Sequence, residues 1–209
     1  PPPQRGATQV IILAEDGASL PALQAARPDG GVTWSLDDPY GRPYAIAYHL
    51  PPRPDPAPAP PHAVPATLGT GARLLGYALD AEVAAPGDVV HVILYWQAVE
   101  PMEAGYTGFV HLLGENNPDG GGPLWAGHDS QPDAGHYPTS AWQPGEVILD
   151  VHPLAIPAGA PPGEYTLEAG LYLLATMERL PARGATGEPL PGDAVILGTL
   201  QVAAEEEGP

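Results

Sequence analysis

The residues with most to offer chemically lie in the middle of the chain. His128-Asp129-Ser130 carries the three residue types of a hydrolytic triad. Nucleophilic catalysis needs those groups to converge in space beside an oxyanion hole. Successive residues of a strand point to opposite faces, so three neighbours cannot converge as they stand. No G-x-S-x-G elbow accompanies them. The expected role is a loop-bracing hydrogen-bond cluster, and no catalytic residue is assigned.

Oxygen-rich segments raise the question of a metal. Glu115 and Asp119, within Glu115-Asn116-Asn117-Pro118-Asp119-Gly120, join Asp129 and Asp133 as candidate calcium ligands near predicted loop ends. Calcium takes roughly six to eight oxygens, often including backbone carbonyls, and sandwich loops can supply them. The segment lacks the acidic register and closing Glu of an EF-hand loop. A hairpin turn rich in Asn, Asp and Gly has the same composition without an ion. Structural calcium is therefore the one cofactor considered, and none is otherwise expected. His128 and His136 could add a transition metal, but there is no Cys and no helical H-x-x-x-H pair.

Sugar binding has its own physical route, an aromatic ring stacked on a saccharide face with polar groups meeting its hydroxyls. Asp133, His136, Tyr137 and Trp142 lie in one predicted loop, with Trp125 shortly before it. These five are the candidate glycan contacts. Trp142 and Tyr137 could equally plug the end of a sandwich, since buried aromatics fix loops well. Trp96 and Trp34 read as packing residues.

Composition narrows the partners. Among 209 residues there are 25 acidic and 7 basic ones, a formal net charge of −18, and every basic residue is Arg. Nucleic acid and anionic lipid are bound through cationic side chains, so neither is an expected partner. No apolar run approaches the ~20 residues of a membrane-spanning helix. The lack of Cys removes disulfides, zinc–thiolate sites and thiol catalysis. The chain opens on Pro1-Pro2-Pro3 and is expected to be an excised or processed fragment.

The elements that must position these residues divide into zones. Residues 1–50 read as a small β-α-β-β unit, with strands around Val10–Leu13, Val32–Ser35 and Pro43–Leu50 and a helix beginning near Ser19. Tyr44, Ile46 and Tyr48 share one face of the last strand. Residues 51–66 are Pro-rich and predict a semi-rigid linker. Residues 67–204 alternate apolar and polar side chains, as half-buried antiparallel strands require. Val90, Val92, Leu94, Trp96 and Ala98 form one apolar face, Tyr165, Leu167, Ala169 and Leu171 another, and Val147, Leu149 and Val151 a third. Further strands are expected at 73–82, 105–113, 124–128 and 193–203. Pro86-Gly87-Asp88, Pro144-Gly145-Glu146, Pro162-Gly163-Glu164 and Pro191-Gly192-Asp193 each precede a strand and predict type II turns. The fold class is mainly β: an antiparallel β-sandwich, Ig-like or jelly-roll-like, preceded by a small α/β unit and followed by an acidic tail, 205–209.

Over residues 74–200 the sequence resembles a domain found at the C-terminal, extracytoplasmic end of large membrane proteins of Chloroflexi-type bacteria. Those proteins are similar to glycosyltransferases of the dolichyl-phosphate-mannose protein mannosyltransferase type. The residues that carry the likeness include Leu74-Leu75-Gly76-Tyr77, Leu94-Tyr95-Trp96-Gln97-Ala98 and Phe109-Val110-His111-Leu112-Leu113. They continue with His128-Asp129-Ser130, Tyr137-Pro138-Thr139-Ser140, Trp142-Gln143-Pro144-Gly145-Glu146, Pro161-Pro162-Gly163-Glu164-Tyr165 and Arg179-Leu180-Pro181. The resemblance implies a location outside the cytoplasm and a non-catalytic accessory role, with a glycan or protein acceptor as partner. The alternative is a self-associating structural subunit of a surface layer, filament or adhesin. Fold-level analogy extends no further.

Overall fold

Period-two alternation becomes strand across most of the chain. The computed structural model describes residues 8–13, 31–41, 43–50 and 59–204. The chain divides into two compact units, Pro1–Ala57 and Pro58–Pro209. The first contains an antiparallel sheet of β1 (Thr8–Leu13), β2 (Gly31–Asp37) and β3 (Pro43–Leu50), in the order β1-β3-β2. A turn joins β2 to β3, closed by Gly41 N–H donating to Asp38 O at 2.9 Å. Burial on β3 falls on Ala45, Ala47 and Tyr48, while Tyr44 is 57% exposed, so the Tyr44, Ile46, Tyr48 face is not buried as a set. The helix expected from Ser19, the Pro-rich stretch 51–58 and the tail 205–209 lie outside the described residues.

The second unit is a β-sandwich. One sheet has the order β10-β7-β5-β4-β13. Its strands are β4 (His62–Leu68), β5 (Ala72–Leu79), β7 (Val89–Ala98), β10 (Val147–Ala155) and β13 (Ala182–Arg183). The other has the order β6-β14-β11-β8-β9, with β12 attached to β11. Its members are β6 (Val83–Ala84), β8 (Thr107–Asn117), β9 (Gly122–Ser130), β11 (Gly163–Leu173), β12 (Glu178–Arg179) and β14 (Val195–Val202). Pairing is antiparallel except between β14 and β6. The core between the sheets takes Val90, Val92, Leu94, Trp96 and Ala98 from β7 and Tyr165, Leu167, Ala169 and Leu171 from β11, the faces that alternation predicts.

Three features depart from the sequence reading. β4 begins at His62, inside the stretch expected to be linker to residue 66. Pro65 fits there because it is exposed and falls at a register shift between Ala63 and Ala66, where a missing N–H costs little. Second, the apolar face expected on β10 is inverted. Ile148, Asp150, His152 and Leu154 point inward and are at most 1% exposed, while Val151 is 46% exposed. Third, Gly163 does not adopt positive φ, whereas Gly87, Gly145 and Gly192 do, at +92°, +90° and +62°. At those three positions the closing N–H of the turn reaches back, Asp88 to Ala85 O, Glu146 to Gln143 O and Asp193 to Leu190 O.

The outer face of the six-stranded sheet carries a smaller cluster of Phe109, Tyr172 and Ala194. Phe109 lies across Gly170, its direct partner in the β11–β8 pairing, and a Cβ on Gly170 would sit 2.5 Å from the ring. Gly170→Ala is therefore expected to destabilise the sandwich by about 1–3 kcal/mol through overpacking. Urea denaturation would measure this, and an unchanged midpoint would show the ring free to move aside.

Candidate functional site

Asp150 sits at the junction of the two sheets with no exposed surface, and so does His152, two residues along the same inward face of β10. A buried carboxylate is costly unless its lone pairs are taken up. Asp150 Oδ1 accepts the backbone N–H of Asp133 at 3.1 Å. Asp150 Oδ2 lies 2.9 Å from His152 Nε2 and accepts the Trp96 indole N–H at 3.3 Å. Room for this assembly comes from Gly108 of β8, where a Cβ would stand 3.1 Å from Asp150 Oδ2 and 3.5 Å from the His152 ring.

The chain continues across the seam. β9 and β10 are terminal strands of their respective sheets. His152 Nδ1 lies 3.0 Å from His128 Nδ1 and 3.2 Å from the His128 carbonyl oxygen, with the rings edge to face at 83°. Burial is the main force holding His128 below the ordinary histidine range, aided by the neighbouring His152 and opposed by Asp150 and Asp129. Ser130 follows on the same face of β9, opposite Gly108, and its hydroxyl is buried without a hydrogen-bond partner. The His128-Asp129-Ser130 trio is thus split between two faces, and the Ser130 hydroxyl is not paired with a base.

Asp129, on the other face, belongs to a second cluster. His111 of β8 bridges carboxylates, with Nδ1 3.0 Å from Glu168 Oε1 and Nε2 3.5 Å from Asp129 Oδ1. Arg179 Nη2 stands 3.5 Å from Glu168, its other nitrogen donates to Gly192 O, and its guanidinium lies 4.3 Å over the Phe109 ring. The hydrogen bond from His111, with the Arg179 charge, holds Glu168 below the usual carboxylate range despite burial.

Of the candidate glycan contacts, Trp142 is 2% exposed and packs in the main core, with its indole N–H donating to Tyr137 O at 3.0 Å. Its ring offers no face to a sugar. Tyr137 is half-buried and its hydroxyl donates to Glu146 at 2.6 Å. Trp125 packs edge-on against Tyr165, over Gly114, and its N–H donates to Glu115 O at 2.7 Å. From Trp125 to the end of β9 at Ser130 the strand runs about 17 Å at ~3.3 Å per residue, so Trp125 is not part of the following loop. Asp133 is half-buried in a 3-10 turn, and His136 is exposed. The five do not form one platform.

The candidate calcium ligands are likewise dispersed. Glu115 and Asp119 lie toward the hairpin end of β8 and β9, where Asn117 pairs with Gly122. Asp129 pairs with Phe109, about 26 Å away along β8 at ~3.3 Å per residue. These four carboxylates make no common calcium site, and no group of three or more His, Cys, Asp or Glu is arranged for a metal among the described residues.

Sequence reasoning missed Asp150, His152, Glu168 and Arg179. The available signal was Ile148, Asp150, His152 and Leu154 at period two, a face that is both polar and apolar. No helix among the described residues is long and apolar enough to cross a membrane. The chain matches no protein-family model and no curated protein.

Because the Glu168 carboxyl is depressed, its stabilising contribution is present above the ordinary carboxylate range near 4.5 and is lost as pH falls through the lower folded-state value. Glu168→Gln is expected to cost about 1–3 kcal/mol at pH 7 and to flatten the acid limb of stability against pH. Urea midpoints from pH 7 to 3 would show this, and parallel wild-type and variant curves would refute it.

Proposed function

We propose that this chain is a non-catalytic accessory module, outside the cytoplasm, of a membrane glycosyltransferase-like protein, and that it meets a glycan or protein acceptor through the loop at residues 131–146. The observation that carries this reading is the way that loop is held. The loop is long and carries only two short 3-10 turns, Asp133–Gly135 and Thr139–Ala141, and long ordered loops are disproportionately the ones that carry function. Here the Asp133 N–H is fixed on Asp150, the Tyr137 hydroxyl on Glu146 and the Trp142 indole on Tyr137 O. Thr139, with no exposed surface, donates to Ala104 O and accepts from Tyr106 N–H. His136, Ser140 and Gln143 remain exposed on this braced frame. A surface ordered before binding loses less entropy on contact. Tyr137, Thr139, Trp142 and Glu146, four of the residues bracing it, are among those that carry the family resemblance.

A second reading draws on β2. It is an edge strand among the described residues, exposed at every position, with Val32 at 50%, Trp34 at 51% and Leu36 at 47%. Such an edge suits strand addition in a cell-surface assembly.

Immunoblotting of source cells with an antibody to residues 67–204 separates these readings. The accessory module predicts a membrane-bound band far larger than 21.6 kDa; a band near that mass in a surface or secreted fraction, with concentration-dependent assembly, would favour the second. For the acceptor contact, His136→Ala combined with Gln143→Ala should weaken any glycan detected by a panel without changing stability. Trp142→Ala should instead cost about 3–5 kcal/mol as a cavity. A panel with no response, or a response untouched by the double variant, would remove the loop from the proposal.

A further inference from the structure

The seam between β9 and β10 has hydrogen-bonding places for only one proton between its two histidines. His152 Nε2 faces the Asp150 carboxylate, so that nitrogen carries hydrogen. His152 Nδ1 faces two acceptors, the His128 carbonyl oxygen and His128 Nδ1. Every contact is satisfied when both nitrogens of His152 carry hydrogen and His128 Nδ1 presents a lone pair. A hydrogen on His128 Nδ1 as well would set two N–H groups and two positive charges against each other across 3.0 Å. The nearby carboxylates Asp150 and Asp129 favour that charge but do not outweigh burial and the neighbouring His152. From β10 the facing groups are Asp150 and His152, from β9 Asp129 on the opposite face, from β7 the Trp96 indole, and from the following turn the backbone N–H of Asp133. β8 contributes Gly108 and Val110, which do not titrate. Asp150 is already occupied by three donors.

We propose that the β9–β10 seam is a proton-operated latch, closed while His128 is neutral and parted when mild acid places a second proton on the His128–His152 pair. Closure leaves the Ser130 hydroxyl buried and unpaired, and water admitted by opening would satisfy it. The seam also anchors the start of the 131–146 loop through Asp133 and Asp150, so parting would release that loop at its first fixed point. The sign follows from linkage. A histidine held neutral in the fold binds its proton more readily when exposed, at the ordinary value near 6.5. Acidification below that value therefore favours the open seam, and a rise in pH restores it.

Two measurements on the full chain test this. Histidine 15N NMR should show His128 Nδ1 without hydrogen at pH 7 and protonated only well below the ordinary histidine value near 6.5. Titration of His128 near pH 6.5, as an ordinary histidine, would overturn the latch. Hydrogen exchange should show protection factors of β9 and β10 amides falling by up to about tenfold per pH unit below that point, the slope of one proton, while β7 and β11 stay protected. His128→Asn keeps an acceptor near the Nδ1 position without a titrating ring, and should abolish the local acid response. The same response in His128→Asn, or unchanged wild-type protection down to pH 4.5, would refute the proposal. If the variant does not fold, the wild-type NMR titration decides alone.

Discussion

Burying one carboxylate, that of Asp150, sets conditions that much of the sandwich meets. An uncompensated charge there would cost more than a domain's marginal stability can absorb. The partners come from separate elements: the Trp96 indole from β7, the His152 ring from β10 itself and the backbone N–H of Asp133 from the loop after β9. Gly108 on β8 is the missing side chain that lets the group fit. The last of these contacts is made by a residue with φ of 55°, a left-handed conformation uncommon outside glycine. Backbone strain at Asp133 is thus coupled to satisfying the buried charge. A buried carboxylate–histidine pair is weak evidence for net stability; its consequence here is specificity, because few other placements of β7, β10 and the loop after β9 would bring the same donors to Asp150.

That economy extends outward. The aromatic residues of the 131–146 loop, candidates for sugar platforms by type, fasten it instead, and its exposed groups are small or polar. On the outer face of the six-stranded sheet, His111, Glu168, Asp129 and Arg179 form a second compensated cluster over Phe109. Polar residues in these clusters largely hold the frame, and the braced loop is where we propose acceptor contact.

Legibility in the sequence followed the physics of each element. β7 and β11 were readable because one face is apolar throughout, although the other face of β7 also carries Val89, Ile93 and Tyr95 beside His91 and Gln97. β10 misled because its solvent face carries Val147, Leu149 and Val151, while its buried face includes Asp150 and His152. Alternation gives the period but not the phase when the core contains a hydrogen-bonded polar pair. β4 was hidden by proline, a residue tolerated there only through a bulge that no local pattern announces. Trp142 was visible as a packing corner. The seam was not, since its members stand 24 residues apart on different sheets and meet only in the fold.

A double-mutant cycle with Asp150→Asn and His152→Gln, read by urea denaturation at pH 7.5, tests most directly whether this buried pair acts as one unit. A coupling of at least about 1 kcal/mol is predicted. Losses that add to within about 0.5 kcal/mol would show that the two residues stabilise the sandwich independently, and would contradict the account.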